Sequence, residues 1–393
     1  MASMTACPFC FYKIDSSNLA FQCSGRGNKE CEKVVDEARV RLTGNHAKTY
    51  RTFLPPKGHR GPSAPCTECG GEAKRRACPQ CHTVLPLDFV GSTSPMIGLV
   101  GSKGSGKTVL MIVLVKQLRE IIARRYDADI RIATDNPDGQ QGLSGYKENR
   151  ETPLFGKRRL PQGTSQLKAR QYATPIVLRW RQEAAGKFVP SRKSALLSFV
   201  DSAGEDLNDT ETAESLRYLT VCDSLIVALD TFALPGARAR LRLPEEATQV
   251  KDDIPMDVVA RITQILRTEN KVKDSKKIKI PVAIVFTKID AFYPTLDQNN
   301  PIMATAPAVP LYDNADGEAV HEHMRALLGE WGADDIDRHM RHNYADFRYF
   351  AVSALGAEPD YAIGEAAPGG VQPHRVEDPV LWLLSKAGTV KSA

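Results

Sequence analysis

From residue 96 onward the chain alternates short apolar runs with stretches of helical periodicity. Met96-Ile-Gly-Leu-Val100 reads as a buried strand that runs into a glycine-rich turn, and Val109 to about Tyr126 reads as a helix. Tyr172 to Gln182 and Ser194 to Val200 read as two strands joined by a turn around Gly186 and Pro190. Further strands are expected at Ser224–Asp230, Ile280–Phe286 and Phe347–Val352. Helices are expected at Ala213–Leu219, Asp257–Glu269, about 316–330 and Val380–Leu384. Residues 127–170, polar and rich in Gly and Pro, read as a long irregular insertion, and 291–315 as a second. This alternation predicts an α/β protein.

The first 86 residues have another texture: Cys, Gly, Pro and Lys with few apolar runs, and a loop at Leu54-Pro-Pro-Lys-Gly-His-Arg-Gly-Pro62. Three regions are expected: a first zinc-binding module over 1–53, a zinc ribbon over 54–90, and an α/β domain over 91–393. The 393 residues are 42% hydrophobic and 25% charged, which excludes a disordered, collagenous or coiled-coil chain. The longest apolar run, Val109 to Val115, is far too short to span a bilayer, and neither end carries a targeting or lipidation pattern. A soluble cytoplasmic protein without a membrane partner is expected. The net charge of +5 conceals an uneven spread. Residues 1–86 carry 13 Lys and Arg against 7 Asp and Glu, and residues 147–193 carry 12 against 3. The remainder is therefore acidic, while the basic front half suits phosphates, nucleic acid or an acidic protein.

The strongest chemical motif is Gly101-Ser102-Lys103-Gly104-Ser105-Gly106-Lys107-Thr108, which follows a strand and opens a helix. Its N–H groups and the helix N-terminus can wrap a phosphate. Lys107 would bridge the β- and γ-phosphates, and Thr108 would hold Mg²⁺. Asp201-Ser202-Ala203-Gly204 follows another apolar strand; there an Asp can hold Mg²⁺ through water and a Gly N–H can meet the γ-phosphate. Thr287-Lys288-Ile289-Asp290 ends a third. An Asp in that place accepts two hydrogen bonds from guanine, which adenine cannot donate, while the Lys stem packs on the base. Ser353-Ala354-Leu355 ends a fourth strand and can offer an N–H to the guanine carbonyl oxygen.

With these four motifs in this order, the chain resembles the Ras-like (TRAFAC-class) GTPases over about residues 96–388. The resemblance implies a mostly parallel sheet with helices on both faces, GTP and GDP with Mg²⁺ as ligands, and GTP hydrolysis. Together with the cysteine-rich front, it is also similar to bacterial zinc-ribbon GTPases of the double-GTPase type, found in predicted conflict and defence operons. Three positions depart from the Ras-like pattern. Thr287 replaces the commoner Asn, Glu205 stands where a Gln orients the attacking water, and Lys103 replaces a loop glycine. Slow or partner-dependent hydrolysis is the resulting expectation. Thr164 is the expected switch-I threonine, with Thr152 and Thr174 as alternatives; Arg158 and Arg159 read as solvated loop charges. Lys107, Thr164, Gly204 and Glu205 are thus the candidate catalytic residues. A GTP-dependent switch docking a protein effector or activator is the leading reading. A non-hydrolysing scaffold or nucleic-acid adaptor is the second.

Eight of the nine cysteines lie in the first 81 residues. In front of a domain of this type they read as thiolates holding metal rather than as disulfides. Cys66-x₂-Cys69-x₈-Cys78-x₂-Cys81 has zinc-ribbon spacing, and Cys7-x₂-Cys10-x₁₂-Cys23-x₇-Cys31 supplies a second set of four. Interleaving of the pairs, or replacement of a Cys by His46 or His59, is open at this level. Two structural Zn²⁺ are expected. Cys222, beside an apolar strand, reads as a core residue, and His321, His323, His339 and His342 read as a solvated helix rather than a metal site.

Overall fold

The computed structural model describes residues 4–59, 61–90, 93–102, 104–133, 143–161, 175–184, 191–201, 217–241 and 254–393. Beyond the cysteine-rich front, the main elements are β1 (Met96–Gly101), α1 (Lys107–Gln117), β2 (Ile176–Ala184), β3 (Ser191–Asp201), β4 (Ser224–Asp230), α2 (Pro255–Glu269), β5 (Val282–Thr287), α3 (Asn314–Glu330), α4 (Asp334–Asn343), β6 (Phe347–Ala351) and α5 (Asp378–Lys386). The chain divides into two compact units that do not follow chain order. One holds Met1–Met96, Arg131–Gly145 and Leu167–Val200; the other holds Ile97–Ile130, Tyr146–Gln166 and Asp201–Ala393.

The second unit is built on parallel strands. β4 pairs with β1 on one side and β5 on the other, and β6 continues beside β5. Every residue of β4 and β5 is buried, which is why both read as unbroken apolar runs rather than as alternations. Helix α2 packs on β4, α5 on β5, α3 on β6, and α4 against α2 and α3. The stripe Val258, Val259, Ile262 and Leu266 faces α2 inward, and Pro255 opens that helix where its missing N–H costs nothing. In α1, Leu110 through Val115 are all buried, so the long apolar run belongs to a core helix. That helix widens after Gln117, where Ala123 N–H reaches back five residues to Leu118 O, and continues to Arg125. No helix among the described residues is long and apolar enough to cross a membrane.

The described parts of 127–170, residues 127–133 and 143–161, hold regular structure that their composition does not suggest. They contain a strand at Ala128–Ile132 and helical turns from Leu143 to Gly156. Leu154 and Glu151 are buried there, and Glu151 forms an enclosed ion pair with Arg119 in the turn that follows α1. In the described helical turns one buried leucine and one buried ion pair leave no amphipathic period to read. The Pro-rich stretch after β5 is likewise pinned. Arg375, its side chain 1% exposed, donates to Ala304 O at 3.0 Å and pairs with Asp316 and Asp378.

In the first unit, β2 and β3 form an antiparallel hairpin registered from Ile176↔Phe199 to Ala184↔Ser191, longer than expected at the turn. The front contributes a three-stranded antiparallel sheet. Ala20–Gln22 pairs with Thr52–Phe53 on one side and Arg75–Ala77 on the other. Because Ala20 faces Ala77 and Gln22 faces Arg75, Cys23 and Cys78 leave this sheet at opposite ends.

Candidate nucleotide site and cysteine clusters

The parallel register aligns the strand ends that carry the motifs. Gly101 of β1 lies beside Ala228, Asp230 beside Thr287, and Phe286 beside Ala351. Such a row of carboxyl-terminal strand ends is where α/β sheets bind ligands. The loop after β1 needs its glycines. A Cβ on Gly101 would lie 2.1 Å from Ala228 O, and Gly106 has φ +77° immediately before α1. Lys107, the first residue of α1, is buried and donates from Nζ to Gly101 O at 2.8 Å and Ser102 O at 2.6 Å. Ser105 closes the loop by donating to Ser102 O at 2.8 Å. The result is a compact cradle with a buried ammonium, which fits a polyphosphate.

Thr287 accounts for its own departure from the Asn pattern. Its hydroxyl lies 2.9 Å from Ser105 O and 3.1 Å from Leu229 O, tying the phosphate loop to the end of β5. Lys288 follows in the left-handed region, φ +59°. Its Nζ donates to Asp230 Oδ2 at 2.7 Å and lies 4.9 Å from the centre of the Phe232 ring. Asp230, 2% exposed, also accepts from Phe232 N–H at 3.0 Å. This counter-ion was not singled out from the sequence, although an Asp closing a wholly apolar strand was visible there. Burial raises the Asp290 carboxyl above its ordinary pKa, opposed by a hydrogen bond from Ser353. Ser353 in turn accepts from Gly356 N–H at 2.7 Å. Asp290 is thus wired to the strand end after β6.

The loop beyond Ser353 carries charges the sequence reading did not use. Burial and the nearby Asp290 raise the pKa of Glu358, and burial with Glu358 and Asp290 raises that of Tyr361. The same loop is stitched to residues 158–160: Ala366 N–H donates to Arg158 O at 2.7 Å, and Leu160 N–H to Gly364 O at 2.9 Å. Arg158 pairs with Glu365 at 3.3 Å, so it is an anchored rather than a purely solvated charge. Thr152 is exposed in the helical segment before it. Lys103, Thr164, Thr174, Ser202, Ala203, Gly204 and Glu205 lie outside the described residues, as does the side chain of Asp201 at the end of β3.

The eight front cysteines form two groups of four, and the groups are interleaved. Cys7, Cys10, Cys78 and Cys81 make the first; Cys23, Cys31, Cys66 and Cys69 make the second. Of the pairings the spacing left open, the crossed one is found rather than the consecutive one. His46 and His59 belong to neither group. The antiparallel pairing described above is the reason, since it sends Cys23 and Cys78 to different ends of one sheet. Three Cys-x₂-Cys turns share one form. Phe11 N–H donates to Cys7 O, Gly70 N–H to Cys66 O, and His82 N–H to Cys78 O, and each donor residue is left-handed.

All eight thiols are buried and none forms a disulfide. Sγ separations of 3.9 Å for Cys7–Cys81, 3.8 Å for Cys10–Cys78 and 3.5 Å for Cys23–Cys69 bracket the ~3.8 Å expected of thiolates on one tetrahedral Zn²⁺. Backbone N–H groups of Gly25 and Gln80 point at Cys23 and Cys78 sulfurs, both at 3.3 Å. Burial raises the Cys7 thiol pKa, whereas hydrogen bonds from neighbouring thiols lower that of Cys78. Four such groups become thiolates together only around a cation. Each group can hold one zinc ion with no position left for water, the donor set of a structural rather than a catalytic site.

Cys222 is a core residue. It is 7% exposed, its thiol donates to Leu219 O at 3.4 Å, and burial pushes its pKa up to about 12. Two of the four downstream histidines are packed rather than solvated. His321 accepts from Tyr349 N–H at 3.0 Å and stacks on that ring, and His339 lies 2.8 Å from the Thr263 hydroxyl.

Fold and site together define an α/β protein that resembles the Ras-like P-loop GTPases and carries two four-cysteine modules fit for zinc. No protein-family model matches the chain. The putative ESX-1 scaffolding and assembly protein SaeC of Mycolicibacterium smegmatis is 25% identical over 411 residues, covering 98% of this chain and all of that protein. Among solved structures, the Arl6 BBS3 small GTPase of Trypanosoma brucei with bound GppNp is similar at 13% identity and a TM-score of 0.29, covering 76% of this chain and 100% of that one. The signal recognition particle receptor SRb of Chaetomium thermophilum is similar at 11% identity and a TM-score of 0.23, covering 69% and 95%.

Proposed function

We propose that the chain binds guanine nucleotides, hydrolyses GTP slowly with Mg²⁺, and uses the nucleotide state to control docking of a protein partner. The observation that carries this reading is the wiring of the strand ends on one side of the sheet: Thr287 Oγ1 bonded to Ser105 O, with Asp290 held by Ser353. Phosphate cradle and base reader thereby share a rigid frame. Lys107 is the group for the β- and γ-phosphates, Thr108 and Asp201 are the residues for Mg²⁺, and the Lys288 stem, held by Asp230, is the platform for the base. Mg²⁺ when bound would neutralise phosphate charge. Thr164, Gly204 and Glu205 are assigned to ordering around the γ-phosphate by the resemblance alone.

The zinc modules are the proposed docking surface, in a cytoplasmic protein. The similarity to SaeC, named a scaffolding and assembly protein, favours a second reading in which the nucleotide gates assembly and turnover is incidental. Binding of GDP, GTP and ATP by the purified protein tests the first step. GDP and GTP should bind far more tightly than ATP, and Asp290→Ala should weaken GDP at least tenfold, since a lost charged hydrogen-bond pair costs roughly 2–4 kcal/mol. Equal affinity for ATP and GTP would overturn the reading. Phosphate release above a Lys107→Ala control separates the switch from the non-hydrolysing scaffold.

A further inference from the structure

Two segments of the second unit that carry no nucleotide motif of their own close on each other beside Asp290. After β6 the chain leaves as a hairpin over residues 353–374. Ser353 and His374 exchange backbone hydrogen bonds of 3.1 and 2.8 Å, and Gln372 N–H donates to Leu355 O at 2.8 Å. At Gly356, φ +83°, a Cβ would lie 1.9 Å from Gln372 O, so only glycine lets the two limbs meet there. The root of the hairpin rests on the turn that carries Asp290. Ser353 bonds Asp290, and the His374 ring meets Tyr293 edge-on with centres 5.7 Å apart. At the tip, Asp360 and Glu365 exchange backbone bonds of 2.8 and 3.1 Å, and Arg159 pairs antiparallel with Glu365. Ala366 N–H on Arg158 O, Leu160 N–H on Gly364 O and the Arg158–Glu365 ion pair complete the closure. Arg158 is left-handed, φ +56°, a conformation that a residue with a side chain keeps only where its neighbours fix it. Behind it, Arg159 N–H donates to Pro153 O at 2.8 Å, and Glu151 pairs with Arg119, two residues beyond the end of α1.

We infer that this closure is a specificity element: latched to residues 158–160, the 353–374 hairpin positions Asp290 to discriminate guanine from bases that lack its amino group. The inference rests on the guanine-nucleotide reading above. A carboxylate that accepts from two donors of one base tolerates little rotation, because hydrogen bonds weaken steeply off axis. Ser353 fixes the orientation of Asp290 and is itself fixed twice, by Gly356 N–H on its hydroxyl at 2.7 Å and by His374 on its backbone. The tip is the far end of the same hairpin, so anchoring it to residues 158–160 stops the hairpin from swinging about its root. Residues 158–160 are anchored in turn, through Pro153 and Glu151, to the turn that follows α1. Releasing the tip lets Ser353 and Asp290 drift. The loss then falls on contacts to the base and spares the phosphates at Lys107, which the loop after β1 holds separately. Arg158 and Glu365 are positioning residues in this account: they act on the base through Ser353 and Asp290.

The test compares GDP with inosine diphosphate, which has the same phosphates, ribose and carbonyl but lacks the exocyclic amino group. The ratio of the two affinities, measured on the full chain, reports how well Asp290 meets that group. Leu160→Pro removes the N–H given to Gly364 O and should lower the ratio about fivefold. Arg158→Glu sets two carboxylates against each other and should lower it about threefold. Arg158→Glu combined with Glu365→Arg restores opposite charges and should return the ratio toward the wild-type value. Arg158→Glu changes a half-buried side chain and covers the case in which Leu160→Pro does not fold. A purely structural loosening would weaken both nucleotides alike and leave the ratio where it was. A wild-type ratio in Arg158→Glu and in any folded Leu160→Pro protein, with GDP still bound, would overturn the inference. A wild-type protein that binds neither nucleotide, or does not tell them apart, would instead overturn the guanine reading beneath it.

Discussion

The cysteine-rich front and the parallel-sheet unit solve the same folding problem with different materials. In the sheet unit, β4 and β5 are buried at every residue and α1 over six consecutive residues, so apolar burial supplies the driving force. In the front, strands of two or three residues surround eight buried sulfurs, with Phe9, Phe21, Ile14 and Leu19 among the few large apolar side chains. A module that small buries little area to offset its chain entropy, and two groups of four cysteines are placed to supply the difference by holding metal. The contrast teaches where each part is vulnerable. The front is built around its two cysteine groups, whereas the sheet is held by its packing and carries its polar motifs at the strand ends.

Metal removal should produce the largest effect. Structural zinc sites of this kind contribute on the order of 10 kcal/mol of apparent folding energy at neutral pH. A strong chelator should therefore melt the secondary structure of residues 4–90, followed by hydrogen exchange, and leave β4 and β5 protected. Metal analysis should find two zinc ions per chain; fewer than one, or loss of protection in the sheet as well, would break the comparison.

The pH dependence of base recognition comes next. Burial raises the Asp290 pKa, and guanine binding requires the carboxylate, so binding releases a proton wherever the free protein holds one there. GDP affinity should be constant at neutral pH and fall as pH drops through a value above the ordinary aspartate pKa of about 4. Asp290→Asn should abolish this acid limb, and an identical limb in that variant would assign it elsewhere.

Smaller again is Thr287→Val, which keeps the shape and removes the hydroxyl bonded to Ser105 O and Leu229 O. A loss of about 1 kcal/mol in GDP binding, some fivefold, is expected. The smallest effect concerns Glu205. Basal hydrolysis should lie at or below ~10⁻² s⁻¹, and Glu205→Gln should leave it unchanged or raise it. Fast turnover abolished by that substitution would make Glu205 the catalytic base and end the partner-gated account.

The sequence by itself determined the strands that carry the phosphate loop and the Thr287–Asp290 motif, because each is a local pattern: an unbroken apolar run, then polar groups of fixed spacing. It also marked the eight cysteines as the ligands of two metal ions, with their pairing open. It left the helical segment around Leu154 unseen, since one buried leucine and one buried ion pair leave no period to detect. Asp230 went unused because its partner Lys288 lies 58 residues away and meets it only through the β4–β5 register. The pairing of the cysteines was decided by tertiary structure alone. Spacing favours neighbours along the chain, but the antiparallel strands Ala20–Gln22 and Arg75–Ala77 deliver Cys23 and Cys78 to opposite ends of one sheet. Strand direction therefore overrides sequence proximity. The same tertiary packing, not any motif, set one metal site against Val177 and Leu196 and left the other on the front's own aromatics.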